Sequence, residues 1–342
     1  VVAAANLPVD RDRILAHRRR ATGLDERAPM SVDALRRAAA AGLTDSVPRA
    51  AVLSLHARVA DTPVDVLDDA RLVQVWGPRF SAYVVVEDDR APFTLGRLPA
   101  TGPGRDRAFD IAQRLADFLD GRTMSYADAG RGMGIDPNML RYGALTGSVV
   151  IRWEGSGRPL VSSVPAPDTT EDGSRRELAR RFLHALGPAT ADDFARWAGV
   201  RPAAARAAFA AIADEVVEVT TPVGDAIALA ADEPSLRAEP DRESHVRLLP
   251  SGDVYFLLWG GARQLLVADA ARRDQLWTSR VWPGALLVHG EIVGVWRRSA
   301  HRVTVTPWTR TTKALRTRVE EEATAQPIPV DRPITVTWDG GP

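Results

Sequence analysis

Short apolar runs occur in pairs along this chain, and each pair is joined by a turn that contains glycine. Short apolar runs bounded by turn residues predict β-strands, and the short connections predict hairpins. The pairs fall at 72–86, 149–161 and 216–229, and each follows a stretch that predicts helices. The pattern therefore predicts three successive units, each made of helices and a closing hairpin.

The helical stretch before the second hairpin is repeated, without a gap, before the third. A Ser or Thr with Asp three residues later predicts a helix N-cap, Gly predicts the end of that helix, and Pro predicts the first turn of the next. Each copy is therefore predicted to be a helix-turn-helix, and a winged helix together with its hairpin. The copies are Ser125-x-x-Asp128-x-x-Arg131-x-x-Gly134-Ile135-x-Pro137-x-x-x-Arg141 and Thr190-x-x-Asp193-x-x-Arg196-x-x-Gly199-Val200-x-Pro202-x-x-x-Arg206, displaced by 65 residues (190 − 125 = 206 − 141 = 65).

The first unit is a divergent version of the same arrangement. Between 53 and 59 its apolar residues alternate with Ser54, His56 and Arg58. Residues two apart share a face of a strand but not of a helix. We therefore expect an extended segment that projects these three polar side chains together.

The character of the chain becomes β after His245. Apolar runs at 246–249, 254–258, 285–289, 292–297 and 303–305 predict strands, and 312–323 predicts a helix. The predicted fold class is α+β, with three tandem winged-helix units followed by a C-terminal antiparallel, β-barrel-like domain. We place these four domains at 1–98, 106–166, 174–232 and 245–342.

Composition narrows the classes of function. With 342 residues, 45% hydrophobic and 26% charged, the chain is typical of a globular protein of several domains. It has no cysteine, which excludes a disulfide, a thiol nucleophile and a zinc–thiolate site, and we expect no metal or cofactor. No apolar run is long enough to span a bilayer, and the first residues do not read as a signal peptide. We expect a cytoplasmic, nucleoid-associated protein with no membrane partner.

The formal net charge is zero, which argues against a strong non-specific binder of polyanions. Lys313 is the only lysine, so nearly all positive charge is arginine. Arginine suits bidentate phosphate contacts, but a GC-rich genome would produce the same bias.

Three further stretches carry a family resemblance, and they lie in the third unit and the C-terminal domain. They are Gly187-Pro188-Ala189-Thr190-x-x-Asp193-Phe194-Ala195-x-Trp197-x-Gly199, Leu248-Leu249-Pro250-x-x-Asp253 and Gly290-x-x-x-Gly294-x-Trp296-Arg297.

With the tandem units, these stretches make the chain resemble the winged-helix DNA glycosylase family of AlkZ and YcaQ over nearly its whole length. The resemblance implies tandem winged helices and a β domain around a DNA-sized channel. It implies hydrolysis of the N-glycosidic bond of N7-alkylated purines, including bulky adducts and crosslinks. The partner would be double-stranded DNA that carries such a lesion, and we expect a monomer.

The resemblance also implies a catalytic position. The family motif, Gln-Φ-Gln or His-Φ-Gln, corresponds here to Ser54-Leu55-His56, which contains neither glutamine. The family's Arg-x-Thr-x-His segment corresponds to 79–83, which keeps Arg79 and a hydroxyl at Ser81 and replaces the histidine with Tyr83.

Ser54 and His56 are our candidate catalytic residues. Neutral His56 could hold a water and accept its proton, and Ser54 could fix the water or the imidazole tautomer. Cationic His56 would repel the positive charge that develops on the sugar, so activity should fall below the imidazole pKa. Alternatively, the pair is not catalytic and the chain is a DNA-binding protein that has lost the glutamines. A transcriptional regulator is disfavoured, because no dimerisation heptad is evident for paired half-sites.

Several other residues have expected roles. Trp197 and Trp296 have apolar patterning that favours the core over base stacking. Only Lys313 and the N-terminus could supply the amine of a lyase, so we expect a monofunctional enzyme. Arg58 and Arg79 could instead be surface or ion-paired arginines, and Arg152 and Arg158 could be solvated only. The candidate DNA contacts are Arg58, Arg79, Ser81, Tyr83, Arg152, Arg158 and Arg297.

Overall fold

The computed structural model describes residues 6–47, 49–153, 159–240 and 245–340, so Arg158 lies outside the described residues. The fold is mixed α+β. Within the described ranges, none of the helices has the length and apolar character needed to span a bilayer. The α-helices there are α1 Arg11–Ala21, α2 Val32–Ala38, α3 Ala50–His56, α4 Arg90–Phe93, α5 Pro103–Leu119, α6 Tyr126–Gly132, α7 Leu140–Gly143, α8 Glu171–Leu186, α9 Ala191–Ala198, α10 Pro202–Ala210, α11 Glu233–Arg237, α12 Gly260–Leu266, α13 Ala270–Leu276 and α14 Lys313–Thr324.

The β-strands of the described residues form three sheets with the orders β1-β8-β9, β2-β4-β3-β6-β7-β5 and β10-β11-β12-β13-β14. The strands are β1 Leu7–Pro8, β2 Leu43–Thr44, β3 Leu72–Trp76, β4 Ala82–Val86, β5 Met124–Ser125, β6 Val149–Arg152, β7 Leu160–Ser163, β8 Val216–Thr221, β9 Gly224–Leu229, β10 Val246–Leu249, β11 Gly284–Val288, β12 Glu291–Ser299, β13 Arg302–Pro307 and β14 Thr335–Trp338.

All three predicted hairpins are present, as the pairs β3–β4, β6–β7 and β8–β9. The sequence did not predict that the first two hairpins join in a single sheet. They meet at β3 and β6, where Gln74 is opposite Ile151. The first and second units therefore share a continuous six-stranded surface.

The repeated frame caps its helices as predicted. Ser125 and Thr190 accept the backbone N–H groups of Asp128 and Asp193, and the second copy forms the full reciprocal capping box. Gly134 and Gly199 both have φ of 69°. A Cβ on Gly199 would also lie 2.9 Å from the backbone of Arg79, so the glycine that ends this helix lets it pack against the first unit.

The C-terminal region departs from the prediction in two ways. Residues 254–258 are not a strand, because Asp253 accepts the backbone N–H of Tyr255 and begins a 3-10 turn, Val254–Phe256. The sheet is not a closed antiparallel barrel: β10 and β14 are its edges, and β13 and β14 run parallel.

The principal core crosses the predicted domain boundaries, with Tyr83, Trp197 and Tyr255 in one buried cluster. Trp197 and Trp296 are both buried, which confirms their assignment to the core. The basic run in α1 is partly internal as well: Arg18 is buried and donates to the carbonyl oxygens of the third unit at 187 and 188. Arginines therefore hold the units together.

Candidate active site

The residues of the candidate motif lie on α3, not on an extended segment. Every residue from 50 to 59 is buried. A helix that is buried on all sides has no polar face, so its sequence lacks the helical period. The alternation of apolar and polar residues at 53–59 therefore does not indicate a strand here. The prediction of a strand, and of one shared face for Ser54 and His56, is wrong.

The N-terminus of α3 is held by a buried carboxylate that lies upstream in sequence. Asp45 accepts the backbone N–H of Ala51 (3.1 Å) and a side-chain N–H of Gln74 (3.2 Å). Burial raises the pKa of Asp45 to about 7. This carboxylate takes the place of a local cap, because Arg49 at the N-cap position has a left-handed φ of 70° and makes no side-chain cap. The helix that carries the motif is therefore anchored to β2 and β3.

Ser54 and Arg58, four residues apart, lie on the same side of the chain and both contact Asp253. The Ser54 hydroxyl donates to Asp253 Oδ2 at 2.6 Å. Arg58 donates to both carboxylate oxygens at 2.8 and 2.7 Å, and also to the carbonyl oxygens of Ser54 and Thr22. The Arg58 and Asp253 side chains have no exposed surface. This cluster joins the first unit to the C-terminal region.

Two expectations are corrected by this cluster. Arg58 is not available to a DNA phosphate in this conformation, because its guanidinium is buried in an ion pair. Ser54 is separated from the imidazole of His56, because positions two apart on a helix point about 200° apart. Asp253 belonged to a stretch that carried the resemblance, but its contacts with α3 are long-range and could not be read from the spacing.

His56 occupies the other side of α3 and is 9% exposed. Among the described residues, its Nε2 has no hydrogen-bond partner. Burial, together with the positive charges of Arg27 and Arg247, lowers the imidazole pKa to about 4. His56 is therefore neutral at physiological pH.

The surroundings of His56 fix its backbone and leave that ring nitrogen without a partner. Arg27 Nε donates to the His56 carbonyl oxygen at 2.5 Å, and its other end pairs with Glu322 at 2.6 Å. Arg247 Nε donates to the carbonyl oxygen of Ala57 at 2.9 Å. The C-terminal end of α3 is thus held by three charged residues that sequence reasoning did not single out.

The turn at 78–81 places the second family segment. Arg79 and Phe80 have φ of 55° and 58°, which non-glycine residues seldom adopt. The Arg79 side chain is exposed and its guanidinium lies 4.5 Å from the ring centroid of Trp259. Ser81 is half-buried. Tyr83 is fully buried, and burial raises its pKa to about 12, so the expected DNA contact by Tyr83 is wrong for this conformation.

The remaining candidate DNA contacts within the described residues are on the surface. Arg152 is exposed and pairs with exposed Asp68 at 2.5 Å. Arg297 is exposed and donates to the carbonyl oxygen of Val281. Arg297 also borders a cavity of about 200 Å³ beside α3, whose lining includes Leu53. The fold thus brings the resemblance stretch at 290–297 next to the motif helix.

Comparisons with known proteins bear on the family and the fold of the chain. The curated "Interstrand DNA cross-link repair glycosylase" of Streptomyces sahachiroi is 24% identical over 292 residues, which are 75% of this chain and 78% of that protein. The solved structure of the Streptomyces sahachiroi DNA glycosylase AlkZ aligns with a TM-score of 0.77 at 19% identity, covering 97% of this chain and 100% of that one. At that identity the structural likeness concerns the fold. The family model described as DNA glycosylase AlkZ-like matches residues 35–326, and the chain therefore belongs to the AlkZ-like DNA glycosylase family.

Proposed function

We propose that this chain is a monofunctional DNA glycosylase that hydrolyses the N-glycosidic bond of N7-alkylated or bulky purines, crosslinks included, in double-stranded DNA. Family membership supports the general activity. The similarity to the interstrand DNA cross-link repair glycosylase of Streptomyces sahachiroi supports crosslinked DNA as a substrate. The observation that carries the proposal is the neutral imidazole of His56, whose Nε2 has no partner among the described residues.

The chemistry of the reaction explains why a neutral imidazole suits this position. An N7-alkylated purine already carries positive charge and is a good leaving group, so the protein must chiefly place a water near C1′ and avoid adding positive charge there. Neutral His56 can accept a hydrogen bond from that water and then its proton. The low pKa keeps the imidazole uncharged while the sugar becomes cationic.

We further propose that Ser54 acts on structure and not on the water. Its hydroxyl is buried and donates to Asp253. It would then hold α3 in place, and His56 would be the catalytic residue. Arg79, Arg152 and Arg297 are the exposed arginines proposed to contact DNA phosphates, on a scaffold of three winged-helix domains and a C-terminal β domain.

A second candidate function is a non-catalytic DNA-binding protein on the same scaffold. The specific observation in its favour is the Ser54 hydroxyl, which occupies the position of a family glutamine and is committed to the buried ion pair. In this alternative, DNA would be bound and no base would be released.

Lyase activity is not part of the proposal. The one lysine, Lys313, is the first residue of α14 and is separated in sequence from α3 by the second and third units. We expect no covalent enzyme–DNA adduct when the reaction with lesion DNA is quenched with borohydride. Such an adduct would contradict the monofunctional assignment.

The decisive experiment is base release from duplex DNA that carries one 7-methylguanine or one bulky N7 adduct. His56→Ala should lower the rate by about 100-fold or more, the range for loss of a general base, while DNA affinity stays within twofold. His56→Gln, which restores a family side chain, should retain much of the activity. His301→Ala, a partly exposed histidine in the β12–β13 turn, is the matched control and should behave as wild type.

Each other outcome has a definite meaning. Base release that survives His56→Ala would move the chemistry to other residues. DNA binding without base release from either adduct would favour the second candidate function, a non-catalytic DNA-binding protein. Absence of binding would contradict both functions.

A further inference from the structure

The two copies of the repeated frame differ at positions that the frame itself does not require. The first copy has Tyr126 and Asn138 where the second, 65 residues later, has alanine at 191 and 203. It also has Trp153 where the second hairpin, whose first strand begins 67 residues later (216 − 149 = 67), has threonine at 220. Both copies form capped helices and a hairpin. The three larger side chains are therefore not needed to build the unit.

The same three side chains line one recess. It lies between the hairpins of the first two units and the helix-turn-helix of the second, and its volume is about 320 Å³. This is within the range of small-ligand sites, about 300–1,000 Å³. Trp76, Phe80 and Arg141 also line it.

The aromatic walls of the recess come from separate elements and are held in place. Trp76 and Trp153 are contributed through β3 and β6, which pair in the six-stranded sheet, and the Trp153 backbone N–H donates to Gln74 Oε1 at 2.5 Å. The rings of Trp76 and Tyr126 lie edge to face with centroids 6.4 Å apart. All four aromatic side chains remain half-buried, so each keeps surface available to a ligand.

Polar groups stand at one side of the recess. Arg141 Nε donates to the carbonyl oxygen of Asn138 at 2.9 Å, which fixes the direction of the guanidinium, and its two terminal nitrogens have no other partner among the described residues. The exposed Asn138 amide donates to Asp136 at 3.2 Å. The recess thus combines aromatic walls, an amide and a guanidinium.

We propose that this recess binds one unpaired nucleobase of a DNA strand, with the rings stacking on the base and Arg141 on the adjoining phosphate. Stacking on aromatic side chains and arginine contact with phosphate are the two components of single-strand binding, and an amide can read the edge of a base. The recess opens beside Pro137–Met139 and Leu140–Gly143, the second element of a helix-turn-helix, which commonly faces DNA. The inference rests on the proposed function for its choice of DNA, and the base it holds is separate from the chemistry at α3.

The test uses 2-aminopurine, whose fluorescence falls when the base stacks, in a single-stranded oligonucleotide and as a one-nucleotide bulge in a duplex. Arg141→Ala should weaken binding of both by about tenfold. Asn138→Ala should weaken it less. Arg206→Ala, the matched arginine of the second copy, should leave binding within twofold of wild type.

Tyr126→Leu should reduce the quenching itself. Because Tyr126 also packs against a core cluster, the melting temperature of the Tyr126→Leu variant is measured as well. Asn138 is exposed, so the Asn138→Ala variant tests the recess even if Tyr126→Leu does not fold. Unchanged quenching and affinity in Tyr126→Leu, Asn138→Ala and Arg141→Ala would overturn the proposal. Equal affinity for free 2-aminopurine riboside monophosphate would overturn its assignment to a DNA strand.

Base release from the 7-methylguanine duplex is measured on the same preparations. If 2-aminopurine is quenched but no base is released, the proposed function is contradicted and the proposal for the recess stands. If the wild-type protein releases base but does not quench 2-aminopurine, the proposal for the recess is contradicted and the proposed function stands.

Discussion

The two sides of α3 differ in how completely their polar groups are satisfied. On one side, Ser54 and Arg58 share the carboxylate of Asp253, and every contact is between protein groups. On the other, His56 keeps a ring nitrogen without a partner among the described residues. A buried polar group without a partner destabilises the fold, and in this motif that group is the imidazole that we propose holds the water. The comparison separates a structural residue from a candidate catalytic one within the same three-residue motif.

The largest predicted effect on stability is on the side of α3 where Ser54 and Arg58 contact Asp253. Asp253→Ala should lower the free energy of unfolding by about 3–5 kcal/mol, because it leaves the buried guanidinium of Arg58 without its counter-charge. Denaturant unfolding followed by circular dichroism measures this. Asp110→Ala, which breaks an exposed pair with Arg114 on α5, is the control and should change stability by no more than about 0.5 kcal/mol.

The double variant Arg58→Met with Asp253→Leu sharpens that result. Removing both charges leaves no unpaired ion, so it should be less destabilising than Asp253→Ala alone. A double variant that is as unstable as the sum of two single variants would mean that the two residues are not coupled as a buried pair.

The second prediction concerns His56, on the other side of α3, and the pH dependence of base release. Because the folded-state pKa of His56 is about 4, base release should be flat from about pH 5.5 to 8.5 and should fall tenfold per unit only below that pKa. The initial rate on 7-methylguanine DNA measures it. A midpoint near the ordinary histidine pKa of about 6.5 would mean that His56 is solvated in the working state.

The same shift predicts a sign for stability. The folded pKa is below the unfolded one, so the unfolded chain binds more protons between about pH 4 and 6.5. His56 therefore contributes a decrease in the free energy of unfolding as pH falls through this window, whereas Asp45, whose pKa burial raises to about 7, contributes an increase. His56→Ala should remove this decrease, while the contributions of Asp45 and of His17, whose pKa burial lowers to about 4, remain; denaturant unfolding of both proteins at several pH values measures the difference.

The smallest predicted effect is that of Ser54→Ala. It should lower the free energy of unfolding by about 1 kcal/mol, the value of one hydrogen bond, because Arg58 still donates to both oxygens of Asp253. Base release should remain near wild type. A loss of activity as large as that of His56→Ala would place Ser54 in the chemistry and erase the distinction between the two sides.

Much of the fold could be predicted from local pattern. The caps at Ser125 and Thr190, the glycines that end α6 and α9 and the three hairpins all depend on residues close in sequence. The buried helix α3 could not be predicted, because a segment surrounded by protein has no amphipathic period to reveal it. The alternation that suggested a strand instead reflects Ser54 and Arg58 meeting one carboxylate from 195 residues or more away.

Residue identities and short spacings were enough to predict the family, the repeated units and the position of the candidate motif. The three-dimensional contacts were needed to show that Ser54 is hydrogen-bonded while, within the part of the chain that the structure describes, His56 Nε2 is not, that Arg58 and Tyr83 are internal, and that one copy of the repeat forms an aromatic recess. These outcomes depend on burial and on contacts between distant segments, such as Asp253 with α3 and β3 with β6. A side chain acquires its pKa and its partners from those contacts, and not from its neighbours in the chain.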